Sequence, residues 1–253
     1  MKPALRVHLS PRLFEPDVLR GGIAVVIDLL RASTTIAVAL ANGASAVISC
    51  AEVDEARRVA AGLPGGTRLL GGERGGVRID GFDLGNSPSE YTPGVVRGKT
   101  IVFTTTNGTR ALRRAEHADR VLVGALVNLD AVVREVAADG RPVHLVCAGV
   151  EEEVCLEDTL CAGAYAAEIG RALGTNPEDD PAIIAAVTWA MYRQSAEAFR
   201  NAMRASHGGR NVAALGLLED VEFASRVSVV DVVPELDRAT GRLLPARRTP
   251  KVV

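Results

Sequence analysis

Three segments of the 253-residue chain place ion-binding side chains at the end of an apolar run or soon after it. Asp28 and Arg31 follow IAVVI, the segment TTTNGT (104–109) follows TIVF, and Glu157 and Asp158 come soon after HLVC. Carboxylates suit a divalent cation such as Mg²⁺, whereas an arginine and the first turn of a helix suit an oxyanion. Together the three segments predict a site for an anionic ligand and a divalent cation.

The segment 104–109 carries the clearest anion-binding signal. It leads from a strand into a helix, and the free backbone N–H groups and dipole of a first helical turn favour an anion. Thr and Asn are also good helix caps, so a well-capped helix without a ligand is the alternative. Three consecutive threonines exceed what one cap needs. We therefore predict that this segment contacts the substrate through Thr105, Thr106, Asn107, Gly108 and Thr109.

Asp28 and Arg31 are predicted to be catalytic. A carboxylate at a strand end is a metal ligand, a nucleophile or a helix cap. The motif D-x-D-x-T of aspartyl-nucleophile phosphatases is incomplete here, since the residues run Asp-Leu-Leu-Arg, and this weakens the nucleophile role. Arg31 is either a bidentate clamp for phosphate or sulfonate or a surface arginine on the first helical turn. Ser33 and Thr34, which can cap the next helix, are predicted substrate contacts.

Glu157 and Asp158 are predicted to bind Mg²⁺ together with Asp28. Mg²⁺ prefers oxygen ligands and few protein carboxylates. The alternative is that both acids only complement the helix dipole in a first turn. The neighbouring run Glu151–Glu153 is better interpreted as a solvated loop.

The segment 71–94, GGERGGVRIDGFDLGNSPSEYTPG, is too long and too rich in Gly, Pro and charge for a plain connector. We expect it to cover the site as a lid, with a surface flap as the alternative. Its predicted catalytic residue is Glu73. Its predicted substrate-binding residues are Arg74, Arg78, Asn86 and Ser87. His207, in a predicted loop SHGGR between helices, is either an acid/base catalyst or an exposed side chain.

The elements that position these residues alternate between strand and helix, which predicts an α/β core with a helical C-terminal third. A long helix is expected from residue 179 to about 204, a strand over 227–230 and a loosely held tail from 236. We predict one domain, with a subdivision near residues 174–180 as the alternative. There is no repeat of solenoid type.

Composition excludes several classes of protein. A net charge of −2 argues against a nucleic-acid partner. No apolar run approaches the length of a membrane helix, and charges and prolines interrupt the N-terminal segment, so neither a membrane anchor nor a signal peptide is expected. Four scattered cysteines without a C-x-x-C pair predict a reduced, cytoplasmic protein. GVVRGKT (94–100) precedes a strand, so it is not a phosphate-binding P-loop.

Four blocks of the sequence resemble those of the 2-phosphosulfolactate phosphatase (ComB) family. They are VVIDLLRASTTIAVALANGA, GGERGGVRIDGFDLGNSPSEY, GKTIVFTTTNGTRAL and CAGVEEEVCLEDTLCAGAY, and the resemblance runs from about residue 20 to residue 233. It implies a three-layer α/β/α fold with a mainly parallel or mixed central sheet. It also implies Mg²⁺-dependent hydrolysis of (2R)-O-phospho-3-sulfolactate to sulfolactate and phosphate, a step of coenzyme M biosynthesis.

Two other functions remain open from the sequence. One is the same chemistry on another small acidic organic phosphate, and the other is a non-catalytic anion-binding module. The attacking group, water or an enzyme carboxylate, also remains open, as does assembly into a homo-oligomer.

Overall fold

Ten strands form one mixed sheet flanked by helices in the described part of the computed structural model, residues 3–177 and 179–246. The three-layer α/β/α arrangement confirms the predicted fold class. Strands β1 to β10 are Leu5–His8, Ile23–Ile27, Ala46–Ser49, Arg68–Arg74, Val77–Arg78, Thr100–Thr104, Arg120–Val123, Val143–Cys147, Pro234–Asp237 and Arg242–Pro245. Helices α1 to α10 are Ala32–Ala41, Val53–Ala61, Pro93–Val96, Gly108–Ala115, Leu129–Asp139, Leu156–Leu173, Asp180–Tyr192, Ala196–Ala205, His207–Ala214 and Leu218–Ala224.

The sheet consists of two parallel halves joined by a hairpin. Its strand order is β1-β8-β2-β7-β9-β10-β3-β6-β4-β5. Strands β1, β8, β2 and β7 are parallel to one another, and so are β3, β6 and β4. The antiparallel hairpin β9–β10 lies between them and pairs antiparallel with both β7 and β3. The two parallel halves therefore run in opposite directions where the hairpin joins them.

The hairpin corrects the prediction of a loosely held tail from residue 236. Leu243 of β10 is buried and pairs with Val47, and Glu235 of β9 pairs with Leu122. Residues 247–253 of that tail lie outside the described residues. The strand expected over 227–230 is not formed either. This stretch donates backbone hydrogen bonds from Ser228 and Val230 to the turn at 126–127 without joining the sheet.

Buried elements fix the loop that carries Asp28 and Arg31. Strands β2 and β8 are buried along their whole length, as expected for central strands made of continuous apolar runs. Helix α1 is buried at nine of its ten positions, because small and apolar side chains occupy all of its faces. The four residues between β2 and α1 therefore connect two buried elements.

The C-terminal third is helical as predicted, but the long helix expected over 179–204 is divided into α7 and α8. Asp179 caps α7, and Ser195 caps α8 by accepting a hydrogen bond from the N–H of Ala198 at 3.2 Å. The subdivision near 174–180 falls between α6 and α7, where position 178 lies outside the described residues. The single domain therefore stays a prediction. None of the described helices has the length and apolar character needed to cross a membrane.

Candidate active site

A cleft of about 180 Å³ lies where the loops after β2, β4, β6 and β8 meet helix α9. The predicted site residues in its wall are Asp28, Arg31, Glu73, Asn86, Thr106 and Asn107. These residues come from three segments of sequence and from both halves of the sheet. Helix α9 adds Gly208, Asn211 and Val212 to the wall. The cleft is therefore the place where most of the predicted chemistry comes together.

The Asp28 carboxylate lies against the N-terminus of α4. A Cβ atom on Gly108, the first residue of that helix, would lie only 2.7 Å from Asp28 Oδ2 and 2.9 Å from Ala32 Cβ. Burial raises the pKa of Asp28 to about 7, and the nearby carboxylates of Glu73 and Glu157 act in the same direction. The helix terminus predicted to bind an anion is thus occupied in part by the protein's own carboxyl group.

Gly108→Ala tests this close approach. We expect the variant to lose at least tenfold in catalytic rate and about 1–3 kcal/mol in stability, because the new methyl group must displace the Asp28 carboxylate or helix α1. Gly94→Ala is the matched control, since a Cβ atom there meets no atom within 4 Å. Thermal unfolding and steady-state kinetics measure both effects. Equal behaviour of the two variants would show that Gly108 does not set the position of Asp28.

Glu157 and Asp158 are both buried but differ in how their oxygens are used. Asp158 accepts hydrogen bonds from the N–H groups of Leu29 at 2.8 Å and Gly149 at 2.9 Å, so both of its oxygens hold loops in place. Burial and the neighbouring Asp28 carboxylate raise the pKa of Asp158 well above its ordinary value. Glu157 Oε1 accepts from the N–H of Gly208 at 2.9 Å, whereas its Oε2 atom is buried with no partner.

These carboxylates do not form a ready three-ligand metal centre. Within residues 3–177 and 179–246, no three His, Cys, Asp or Glu side chains are grouped so that they could hold a metal ion among themselves. The predicted set of Asp28, Glu157 and Asp158 is therefore not assembled as three ligands. Asp28 and Glu157, whose oxygens are less engaged than those of Asp158, remain the candidates for binding a cation.

Arg31 is held by a buried ion pair with Asp220. Its Nη1 atom donates to Asp220 Oδ2 at 2.7 Å, and its Nη2 atom donates to the carbonyl of Gly76 at 2.9 Å. Asp220 also accepts from Ser87 Oγ at 2.6 Å. The alternative of a surface arginine is therefore wrong. The sequence interpretation gave Asp220 no role in the site, and an acid in the first turn of a helix is an ordinary feature.

Glu73 connects the 71–94 segment to the threonine-rich loop. Its Oε1 atom accepts from the N–H of Thr106 at 2.8 Å, and its Oε2 atom accepts from the N–H of Gly76 at 2.6 Å. Gly72 allows the close approach of the two strands, because a Cβ atom there would lie 2.0 Å from the carbonyl oxygen of Thr104. The start of the predicted lid is thus a strand of the sheet, and its glycine turn forms part of the cleft wall.

Several predicted substrate contacts instead hold the loops in shape. Ser33 Oγ accepts from the N–H of Asp28 at 2.9 Å, and Thr34 Oγ1 donates to the carbonyl of Leu29 at 2.8 Å. Arg74 donates to the carbonyl of Ala51 at 2.9 Å and to Thr104 Oγ1 at 3.0 Å. Ser87 and Thr109 are both buried. Ser87 is hydrogen-bonded to Asp220, and Thr109 is hydrogen-bonded to Ser49. The hydrogen bonds of these five residues are made within the protein.

Arg78 and His207 lie outside the cleft. Arg78 is exposed and lines an adjoining cavity of about 270 Å³ that shares Arg31, Gly76 and Asn86 with the cleft. The loop expected at SHGGR is absent, because Ser206 caps α9 and His207 is the first residue of that helix. The His207 side chain is exposed and is not part of the cleft wall, although Gly208 is.

Three buried oxygen atoms of predicted site residues have no hydrogen-bond partner. They are Glu157 Oε2, Thr105 Oγ1 and Asn86 Oδ1. Buried polar atoms in folded proteins are nearly always paired, so such atoms indicate where a ligand, ion or water completes the structure. Asn211, on the exposed side of α9, adds another amide to the wall, and no sequence signal pointed to it.

A mixed α/β/α sheet whose loops enclose carboxylates, an arginine and a helix N-terminus is typical of enzymes that act on anionic substrates. The comparison with protein families agrees with this class. The model of the 2-phosphosulpholactate phosphatase family matches residues 8–239, and the chain belongs to this family.

Curated relatives match nearly the full length of the chain. A protein of Symbiobacterium thermophilum is 43% identical over 221 residues, which cover 86% of this chain and 92% of the relative. A protein of Deinococcus radiodurans is 42% identical over 234 residues, or 92% of each chain. One of Caldanaerobacter subterraneus is 40% identical over 218 residues, or 86% and 89% of the two chains. All three are described as probable 2-phosphosulfolactate phosphatases.

Proposed function

We propose that the protein is a phosphatase that hydrolyses 2-phosphosulfolactate to sulfolactate and inorganic phosphate, with Mg²⁺ as its cofactor. The observation that carries this proposal is the cleft whose wall contains both Asp28 and Arg31, with the Asp28 carboxylate beside the N-terminus of α4. Membership of the family, and the names given to relatives that align over most of the chain, support the choice of substrate.

The charge of the cleft supports a divalent cation. Glu73 and Glu157 both lie near Asp28, and the charge of Arg31 is already balanced by Asp220. The proposed substrate carries phosphate, sulfonate and carboxylate groups, so it would meet a net negative surface. A cation is the simplest way to make such binding favourable.

Asp28 and Glu157 would hold this cation, with Asp158 fixing the loops behind them. Mg²⁺ typically takes one or two protein carboxylates and fills its remaining positions with phosphate oxygens and water, which suits two carboxylates and an unpaired Oε2 atom. When bound, the ion would neutralise charge on the phosphate and help to activate the attacking group.

Arg31 and the first turn of α4 would hold the phosphate. A guanidinium has five N–H donors, and Arg31 uses one for Asp220 and one for Gly76, so others are available to an anion in the cleft. Helix α4 contributes N–H groups that lack helical acceptors. The sulfonate would extend toward Arg78 through the adjoining cavity, whose wall is shared at Arg31 and Asn86.

The deciding experiment is to measure phosphate release from phosphosulfolactate, phospholactate and an aryl phosphate, each with Mg²⁺ and with EDTA. We expect Mg²⁺-dependent turnover that is fastest for phosphosulfolactate, and at least a tenfold loss of this preference in Arg78→Ala. Turnover of other phosphates only would support the chemistry but reject the substrate. Folded protein that releases no phosphate from any of them would favour an anion-binding module.

The place of this reaction in the cell belongs to the same proposal. Cys50, Cys147, Cys155 and Cys161 are all free and buried, in keeping with a reduced, cytoplasmic protein. The product sulfolactate would enter coenzyme M biosynthesis, as the family resemblance implies.

A further inference from the structure

Helix α7 has an exposed apolar face in addition to its buried one. Ala182, Ala185 and Trp189 face the protein. On the opposite side Ile183, Ile184, Val187 and Met191 are exposed by 44%, 52%, 53% and 66%. Residues 181–192 include no charged side chain, in a chain that is 24% charged. A helix that is apolar on all sides is normally covered on all sides.

The apolar surface continues beyond the N-terminal end of α7. A groove of about 440 Å³ is lined there by Asp179 and Pro181 together with Leu13, Phe14 and Val18 from the segment after β1. Leu13 is exposed by 65% and Val18 by 42%. Together, the groove and the helix face extend farther than one helix of about 20 Å. Contiguous apolar surface of this kind is typical of an interaction site.

The charges at the two ends of α7 are of opposite sign. Asp180 begins the helix and Arg193 follows its last residue, and both are exposed. In the described part of the chain, neither belongs to an ion pair, although the Arg193 guanidinium lies 5.7 Å from the centre of the Trp189 ring. Two antiparallel copies of α7 would therefore place each aspartate beside the arginine of the other copy. Parallel copies would bring like charges together.

We propose that α7 pairs antiparallel with α7 of a second copy of this chain, about a two-fold axis at Val187. The spacing of the exposed apolar residues on α7 is self-complementary. Val187 of one copy would contact Val187 of the other, and Ile183 of one copy would contact Met191 of the other. Met191 would also lie next to the groove at Leu13 and Val18. A two-fold contact of this kind uses the same patch on both copies, as the commonest soluble dimers do.

Sedimentation velocity and a single cysteine test the axis directly. Packed helices lie about 8–10 Å apart and their Cα atoms about 2.3 Å from each axis, which places the two Cα atoms at the two-fold axis about 3.4–5.4 Å from each other, a range that overlaps the separation bridged by a disulfide. Val187→Cys should therefore form a cross-linked dimer under mild oxidation in high yield, since the native cysteines are buried. Asp130→Cys, at an exposed position on α5, is the matched control and should cross-link poorly.

Two further sets of variants test the proposed dimer independently of the cross-link, through the monomer–dimer equilibrium. Val187→Glu should shift the wild-type dimer to monomer while the circular dichroism spectrum stays unchanged. Asp180→Arg and Arg193→Asp should each weaken the dimer at least tenfold, and the double variant should recover most of that loss. A wild-type protein that is monomeric at tens of micromolar, or a dimer that Val187→Glu does not affect, would overturn the proposal.

Discussion

Asp28→Asn is expected to lower phosphate release by about a thousandfold or more while the protein stays folded. The amide keeps the shape of the carboxyl group but loses the charge with which Asp28 would bind the cation and face the phosphate. The readout is kcat/KM with saturating Mg²⁺, together with the unfolding temperature. Asp130→Asn, an exposed change on α5, serves as the control and should retain full activity. A fully active Asp28→Asn would refute the central role of this residue.

The same variant should be more stable than the wild type in EDTA at neutral pH. An unfolded aspartate titrates near pH 4, whereas the folded Asp28 has its pKa raised to about 7. Between these values only the folded state keeps the proton, so the free energy of unfolding falls as the pH rises from about 4 to 7. Because asparagine does not titrate, the Asp28→Asn variant does not undergo this fall in the free energy of unfolding.

The measurement is the difference in unfolding temperature between variant and wild type at several pH values in EDTA. The difference should increase in favour of Asp28→Asn from pH 5 to 7.5. His8 and His144, whose pKa values are lowered to about 4 by burial, change stability in the opposite direction, but they do so equally in both proteins. If the difference in unfolding temperature does not change with pH, the pKa of Asp28 is not raised in the folded protein.

Asp220→Ala is expected to destabilise the protein by about 3–5 kcal/mol and to reduce activity strongly. The change leaves the buried Arg31 guanidinium without its counter-charge, and removal of one member of a buried ion pair carries a cost of this size. It also releases Ser87 Oγ from its acceptor. Glu222→Ala is the control on the same helix, since its ion pair with Arg204 is partly exposed and is expected to contribute less than about 1 kcal/mol.

A double variant separates the structural role of the pair from its role in the reaction. Arg31→Met with Asp220→Leu replaces both charges by apolar side chains, which often restores stability. We expect unfolding by urea to show a stability within about 2 kcal/mol of wild type, while phosphate release stays at the background level. Substantial activity in the stable double variant would show that Arg31 has only a structural role.

Much of the site could be predicted from the sequence because its signals are local. Asp28, Arg31 and the threonine-rich segment stand directly after apolar runs, and an apolar run that ends in polar residues is a strand that ends at a loop. Such patterns depend on neighbouring residues only. The same local logic missed the β9–β10 hairpin, because its runs are short, although Gly241 with a φ of 67° marks the turn between them.

The roles of individual polar side chains depended on distant residues. Ser33, Thr34 and Arg74 are of the residue types that bind anions, but their hydrogen bonds are made with backbone and hydroxyl groups of the protein itself. Arg31 finds its partner 189 residues away, in α10. A side chain of a given type accepts whichever partner the fold brings to it, and the sequence around it does not say which one.

As far as helix α6, the sequence by itself determined most of the strands and helices and the residues at their ends. Only the tertiary structure decided that those ends meet. The hairpin gives the two parallel halves of the sheet opposite directions, so the rule that carboxyl ends share one edge does not by itself bring Asp28 to Gly108. Each half pairs with the hairpin through a single residue pair, and the loops after β2, β4, β6 and β8 nevertheless line one cleft. Hydrophobic patterning fixes each strand locally, but the pairing and twist of the sheet arise from contacts between distant parts of the chain.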